Sequence, residues 1–219
     1  MPEPGRRYLD PSSVGANLDP ISVTTLPNGV RNFGFVPAIE QLLPGDLLLF
    51  RPVASTMTSR GIAGAQQRAG FAVDHAAWTH AAIFLYDDVM VEALPIRGVV
   101  QSSLYSRIPG HCILVRRRPE LDESIRYRVA LWALGRIGKR YSHFALLGLA
   151  WDMLKGLWSD ISLASNRQVV ICSQVFADAQ GEMAGKRLAG CPYSGATTPA
   201  HLSATPDLVD VALGWKKLV

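Results

Sequence analysis

Cysteine is scarce in this sequence of 219 residues, which contains only Cys112, Cys172 and Cys191. An odd and sparse set does not make the disulfide framework of a small secreted protein, so we expect reduced thiols. The first residues include two arginines, but the apolar segment of a secretory signal peptide does not follow them. We therefore expect a cytoplasmic protein, or one exported without a cleavable signal peptide.

Clusters of like charge and metal-binding motifs are also scarce. The net charge is +4, and the basic residues are scattered apart from Arg116, Arg117 and Arg118, which we expect to form a solvated strand edge. Nucleic-acid binding is therefore not expected. The sequence has no CxxC or HExxH motif, and His75 has no carboxylate cluster beside it, so we predict no metal site and no other cofactor.

A long uninterrupted hydrophobic run is absent as well. The most apolar stretch is FALLGLAWDMLKGLW, residues 144–158, in which Asp152, Lys155 and two glycines interrupt the apolar residues. It is too broken and too short for a membrane span. We expect it to pack on the domain; the alternative is an apolar wall or an interfacial helix, so membrane association is possible but not favoured.

The sequence does contain enough apolar residues, 48%, to build one ordinary core. We expect an irregular N-terminal arm over residues 1–37, rich in Pro, Gly, Asn and Ser, and one domain over residues 38–219, with regular structure beginning at Ile39. Strands are predicted at residues 46–50, 79–86, 89–93, 99–101 and 113–117. Helices are predicted at residues 60–69 and 122–134, after Cys172, and at residues 208–213 behind a capping Asp207.

Cys172 lies between a short apolar run, residues 169–171, and a helical pattern whose inner face carries Val175, Phe176 and Ala179. A cysteine in the first turn of a helix faces unpaired N–H groups and the positive end of the helix dipole, which stabilise a thiolate. The same N–H groups can hold a developing oxyanion. The alternative interpretation is a buried cysteine that serves as a small apolar residue.

His80 opens the predicted strand THAAIFLY, and Glu92 lies twelve positions later, across the predicted hairpin. A cysteine nucleophile needs a base, and the base needs a third polar group that fixes its tautomer and orientation. His80 and Glu92 share a face of the sheet if the hairpin connection has three or five residues, whereas a two-residue turn would separate them. The alternative for His80 is a hydrogen-bonded structural histidine.

Seven segments occur in a characteristic order: LLPGDLLLF, THAAIFLY, VMVEALP, GVVQSSL, GKRY, VICSQ and TPDLV. Together they span about residues 41–210 and resemble the permuted NlpC/P60 group of papain-like cysteine hydrolases, of the YiiX and poxvirus type, which is related to LRAT-like proteins. In papain-type enzymes the cysteine precedes the histidine, whereas here Cys172 comes last. The resemblance implies an α+β fold, a small antiparallel β-barrel or sheet packed against helices, with Cys172 as nucleophile, His80 as base and Glu92 as the group that orients it.

The resemblance also indicates a role for Tyr141. The segment GKRY is similar to the Gly-x-Pro-Tyr motif that precedes the cysteine in unpermuted relatives, although Arg140 stands where the family often has Pro. This similarity implies that the Tyr141 hydroxyl helps to bind the oxyanion; the alternative is a half-buried tyrosine that anchors a loop. His111 and Cys112 look like a second dyad, but adjacent residues on a strand point to opposite faces and cannot meet.

Three functions are consistent with these residues. The first, which we predict, is a cysteine hydrolase that cleaves an amide bond of a small peptide or acyl-amide substrate through an acyl-enzyme on Cys172. The second is a lipid-directed acyltransferase or esterase, implied by the LRAT-type relatives and by the apolar residues 144–158. The third is a non-catalytic binding module on the same scaffold, which the presence of all three triad residue types disfavours.

Overall fold

The computed structural model describes residues 8–15, 18–23, 25–141, 169–170, 172–192 and 196–219. The helices are α1 (Asn28–Phe33), α2 (Met57–Arg68), α3 (Val73–Ala76), α4 (Glu123–Leu134), α5 (Cys172–Met183) and α6 (Pro199–Ala204). The strands are β1 (Pro20–Ile21), β2 (Phe35–Pro37), β3 (Leu47–Pro52), β4 (His80–Tyr86), β5 (Val89–Leu94), β6 (Gly98–Ser103), β7 (His111–Arg117), β8 (Arg140–Tyr141), β9 (Val169–Val170), β10 (Val209–Val211) and β11 (Trp215–Leu218). Consecutive strands and separate helices make this an α+β fold.

The centre of the fold is a six-stranded sheet in the order β10-β7-β3-β4-β5-β6. Every neighbouring pair in it runs antiparallel. Strands β10 and β6 form its two edges and do not pair with each other, so the described strands make an open sheet and no closed barrel. Of the two forms implied by the resemblance, barrel or sheet, the described residues form the sheet packed against helices.

Both faces of the sheet are covered, and the central strands are therefore mostly apolar. Helices α4 and α5 cover one face, and the N-terminal residues with a small sheet, β1-β11-β2, cover the other. The core on the helix side includes Leu47, Leu49, Ala81, Ile83, Val91, Val129, Ala133, Val175 and Phe176. The core on the other side includes Leu9, Val30, Val36, Leu48, Phe50, Ala82, Phe84, Met90 and Trp215. Successive residues of one strand thus alternate between two cores.

The N-terminal residues contain more regular structure than the sequence predicted. The expectation that regular structure begins at Ile39 is wrong, because α1 and β2 precede that residue and β2 pairs with β11. Leu9 forms an isolated bridge with Ile113 of β7, and Leu9 and Val30 are buried. These elements are too short for hydrophobic periodicity to reveal them, and burial against the sheet stabilises them.

Most of the predicted elements are confirmed, with differences of a few residues at their ends, but the C-terminal helix is not. The predicted helix at residues 208–213 is wrong, because Val209–Val211 forms β10 and pairs with β7. Asp207 accepts a hydrogen bond from the backbone N–H of Ala189 and caps no helix there. The helix of this region is α6, and its N-cap Thr198 accepts a hydrogen bond from a backbone N–H in the first turn.

The arginines that end β7 do not form a solvated edge, because Arg116 and Arg118 are buried. The guanidinium of Arg116 donates to the side chain of Asp210 and to the backbone oxygens of Leu202, Ser203, Thr205 and Leu208. These bonds satisfy carbonyl groups at the end of α6 and in the loop that follows it. The arginine run therefore fastens the C-terminal segment to the sheet.

Asp46 fixes the start of β3. Its carboxylate is fully buried and accepts hydrogen bonds from Arg117 Nε at 2.8 Å and Arg117 Nη2 at 2.6 Å. The backbone N–H of Leu43 also donates to it at 2.8 Å, which closes the turn before the strand, and Nη1 of Arg126 lies 3.5 Å away. One carboxylate thus ties β3 to β7 and α4.

The apolar stretch at residues 144–158 lies outside the described residues. Among the helices that are described, none combines the length and the apolar character needed to cross a membrane. His75 lies within the described part, where its Nδ1 is 2.9 Å from Ser203 Oγ. That part also contains no group of three or more His, Cys, Asp and Glu side chains arranged to hold a metal ion.

Candidate active site

The hairpin of β4 and β5 brings His80 and Glu92 onto one face of the sheet. The strands connect through a two-residue turn, residues 87–88, which by itself would place the two side chains on opposite faces. A bulge at Leu85 shifts the pairing of β4 with β5 by one residue between the turn and Ala82. Ala82 then pairs with Glu92. The expected three-residue or five-residue turn is therefore wrong, but the shared face is present because the bulge supplies the additional residue.

His80 and Glu92 are hydrogen-bonded to each other. His80 Nε2 lies 2.6 Å from Glu92 Oε2, and Ser102 of β6 donates its hydroxyl to Glu92 Oε1 at 2.6 Å. The Glu92 side chain is 2% exposed, whereas that of His80 is 17% exposed. A carboxylate at this depth needs hydrogen bonds to its charged form, and these donors supply them. Glu92 thus orients the ring while His80 keeps a path to solvent.

Cys172 is the first residue of α5, as the sequence predicted, and it lies beside His80, close enough for the charge and hydrogen bonding of each residue to shift the pKa of the other. Hydrogen bonding to the backbone of Ala81 and Ser173 also lowers the pKa of the thiol. His80 therefore interacts with Cys172 as well as with Glu92.

The sulfur and the imidazole meet at the end of strand β4. Helix α5 packs on β4 and β5, and Cys172 belongs to the core on the helix side, whereas Phe50, which pairs with His80, belongs to the opposite core. The ladder between β4 and β5 begins at Ala82, which leaves the backbone N–H of Ala81 available to the sulfur. Because the pairing of β4 with β5 ends at Ala82, Cys172 on the helix side of the sheet can approach His80 on the other side.

The charges of the site favour a thiolate beside an imidazolium. Burial lowers the pKa of His80, but the charge of Cys172 and the hydrogen bonds to Cys172 and Glu92 outweigh it and raise this pKa to about 9. Burial raises the pKa of Cys172, but the charge and hydrogen bond of His80 outweigh it and lower this pKa. Burial also opposes ionisation of Glu92, yet His80 and Arg107 bring its pKa down to about 2. This is the protonation state of a cysteine nucleophile activated by histidine.

Arg107 is a further charged residue of the site, which the sequence analysis did not identify. It ends a 3₁₀ turn, Leu104–Arg107, and its Nη2 donates to Glu92 Oε2. The same nitrogen lies 3.4 Å from His80 Nε2. No local pattern indicates this pairing, because Arg107 and Glu92 are 15 positions apart and Arg107 stands in an irregular segment after β6.

The buried ring of Phe50 packs close to His80, His111 and Arg107. Its ring centroid lies 5.9 Å from that of His80 and 6.1 Å from that of His111. The guanidinium carbon of Arg107 lies 5.4 Å from the same centroid. Because the face of an aromatic ring attracts cations, one buried side chain stabilises both the imidazolium and the guanidinium.

Tyr141 is placed near Cys172 by its backbone. It ends β8, which runs parallel to β9 and puts Tyr141 opposite Val170, two residues before Cys172. The Tyr141 side chain lies outside the described part of the structure. The contact of its hydroxyl with an oxyanion therefore stays a prediction.

His111 and Cys112 point to opposite faces of β7, as the sequence predicted. Nδ1 of His111 lies 3.2 Å from the backbone oxygen of Arg107, whereas Cys112 belongs to the core on the helix side and contacts Arg51 Nη2 at 3.5 Å. The two residues therefore form no second dyad.

Comparison with known proteins adds no relative to this picture, because no protein-family model matches the chain and no curated protein sequence matches it. The functional argument therefore depends on the geometry of Cys172, His80 and Glu92.

Proposed function

We propose that this protein is a cysteine hydrolase that cleaves an amide bond, with Cys172 as nucleophile, His80 as base and Glu92 as the group that orients His80. The observation that carries the proposal is that His80 interacts with Cys172 and is hydrogen-bonded to Glu92. A structural cysteine in a core needs neither a charged histidine beside it nor a carboxylate behind that histidine. Nucleophilic catalysis needs both.

The reaction has two stages. In the first, the Cys172 thiolate attacks the amide carbonyl carbon, and backbone N–H groups in the first turn of α5 stabilise the oxyanion. The His80 imidazolium gives its proton to the leaving amine, and a thioester remains on Cys172. In the second stage, neutral His80 takes a proton from a water molecule while the oxygen of that water attacks the thioester. Release of the carboxylic acid restores the thiolate and the imidazolium.

The chain order favours a permuted papain-like arrangement of the NlpC/P60 type. The strands that carry His80 and Glu92 precede the helix that begins at Cys172, and this helix packs on the same two strands. Cys172 is 8% exposed, which favours a narrow substrate such as a small peptide or an acyl amide. No contact of the described residues favours the lipid-directed acyltransferase, whose expected apolar wall, residues 144–158, lies outside them.

A paired experiment on Cys172 tests the proposal. In a short pulse of iodoacetamide at about pH 6.5, Cys172 should react much faster than Cys112 or Cys191, because ordinary thiols are protonated at this pH. Burial raises the pKa of Cys112, and burial together with the charge of Asp207 raises that of Cys191 to about 11. Mass spectrometry of the labelled peptides gives the three rates.

The second half of the experiment offers a panel of short peptides and N-acyl amides. Amine release should be lost in Cys172→Ser and in His80→Ala but retained in Cys191→Ser, and intact mass should show a transient acyl adduct on Cys172. Equal labelling of all three cysteines in the folded protein, or amide cleavage that survives Cys172→Ser, would remove Cys172 as the nucleophile.

A further inference from the structure

Arg107 and His80 bind the same oxygen atom of Glu92. His80 Nε2 lies 2.6 Å from Glu92 Oε2, and Arg107 Nη2 donates to that atom as well. Ser102 donates to the other oxygen, Oε1, so both cations contact Oε2 and neither contacts Oε1. The negative charge of one oxygen is therefore divided between a guanidinium and an imidazole.

We propose that Arg107 is a positioning residue that holds Glu92 against His80 and, through the shared oxygen, limits how tightly His80 keeps its proton. The inference rests on the proposed function. His80 has to be an imidazolium when the amine leaves, but a neutral base when water attacks the thioester. Glu92 and the Cys172 thiolate alone would hold the proton too strongly for that second stage. The positive charge of Arg107, 3.4 Å from Nε2, offsets them.

Arg107 is held in this position from several sides. Its guanidinium carbon lies 5.4 Å from the centroid of the Phe50 ring, and its backbone oxygen accepts a hydrogen bond from Nδ1 of His111 at 3.2 Å. Its Nε is buried and has no hydrogen-bond partner among the described residues. An arginine free to move would turn that donor to water, so the contacts with Glu92 and Phe50 are what fix the guanidinium.

The ionisable groups that face His80 are Cys172, Glu92, Arg107 and His111. Cys172 and Glu92 favour the imidazolium. Arg107, whose Nη2 lies 3.4 Å from Nε2, carries a like charge that we expect to oppose it. Burial lowers the pKa of His111, and although its hydrogen bond to the Arg107 backbone oxygen acts the other way, the ring is neutral at pH 7 and adds no charge. Removing the charge of Arg107 should therefore strengthen the hold of His80 on its proton.

Titration of the histidine rings by NMR measures this effect without a substrate. Arg107→Gln should raise the midpoint of His80 by about one pH unit, a tenfold stronger hold on the proton. Arg107→Lys, which keeps the charge, should stay closer to the wild type. The matched control Arg128→Gln removes an exposed arginine from α4 and should leave the midpoint unchanged. An unchanged His80 midpoint in folded Arg107→Gln would overturn the inference.

A second comparison applies if Arg107→Gln leaves Glu92 uncompensated and does not fold. In the Glu92→Gln background the carboxylate charge is already absent, so adding Arg107→Gln removes only the positive charge and should again move the His80 midpoint upward; equal midpoints would contradict the inference. Alkylation of wild-type Cys172 separates the two proposals. An unreactive Cys172 would end the proposed function, whereas a reactive Cys172 with an unshifted His80 would end only the role of Arg107.

Discussion

Replacing Glu92 by glutamine should destabilise the fold in a way that depends on pH. The Glu92 side chain is 2% exposed, and its two oxygens receive hydrogen bonds from His80, Ser102 and Arg107. Glutamine offers one neutral acceptor oxygen and replaces the other by an NH₂ donor, so Ser102 has to turn its hydroxyl to accept, and His80 and Arg107 are left to share an uncharged oxygen. The guanidinium of Arg107 also loses its counter-charge in a buried site.

The magnitude follows from the pKa of Glu92. Burial raises it, but the hydrogen bond and charge of His80, the charge of Arg107 and the hydrogen bond of Ser102 outweigh burial and bring it from 4.5 to about 2. This difference corresponds to about 3 kcal/mol of folding free energy. The raised pKa of His80 arises in part from the same interaction with Glu92, so its contribution to the folding free energy is not added to this value. For a chain of this length, about 3 kcal/mol lowers Tm by about 6–12 °C.

Urea unfolding at a series of pH values provides the assay. The stabilisation from Glu92 is complete above its unfolded pKa of about 4.5 and is lost as the pH falls toward about 2, where the folded group takes up its proton. The stabilisation from His80 is complete below its unfolded pKa of 6.5 and is lost as the pH rises through about 9. The difference in free energy of unfolding between wild type and Glu92→Gln should therefore be largest between about pH 4.5 and about pH 6.5.

The exposed Glu182, whose side chain is 57% exposed, gives the matched control, since Glu182→Gln should change stability by less than about 0.5 kcal/mol at every pH. A Glu92→Gln penalty below about 1 kcal/mol, or one that stays constant from acid to alkaline pH, would refute the charged network.

Two further substitutions test how β3 is held in place. Asp46→Asn should cost about 3 kcal/mol in urea unfolding, because Arg117 and Arg126 lose a fully buried carboxylate, and a loss below about 1 kcal/mol would show that the cluster contributes little. Gly45→Ala should cost about 1–3 kcal/mol, because φ is +83° and a Cβ atom would lie 3.0 Å from the backbone oxygen of Arg126. Gly70→Ala, with φ +93° but open space around it, is the control, and an equal loss there would remove the steric part of this reasoning.

The three residues of the candidate site were predictable because each has a local signal. Cys172 precedes a helical pattern, His80 opens an apolar strand, and Glu92 stands in a strand where an acid is normally avoided. Their meeting was less predictable, since it depends on the bulge at Leu85. A leucine suits a regular ladder position as well as a bulge, so the residue type does not reveal the shift in register.

Non-local contacts account for what the sequence did not reveal. Asp207 followed by apolar residues is typical of a helix start, yet Val209–Val211 pairs with β7, whose neighbouring backbone outweighs local preference. The arginines of β7 looked solvated because their partners, such as Asp46 and Asp210, are distant in the chain. Arg107 was missed for the same reason.

The bulge at Leu85 also restricts how the hairpin can vary in length. Side chains alternate between the two faces of a strand, so one residue added to or removed from the paired part of β4 or β5 between His80 and Glu92 would turn one of the two side chains toward the helices and separate the imidazole from the carboxylate. A change of two residues would restore the shared face. The turn at residues 87–88 lies at the opposite end of β4 from His80. A residue added there can be taken up by a longer loop without moving the ladder, so the even-number rule applies to the paired residues of the two strands and not to the turn.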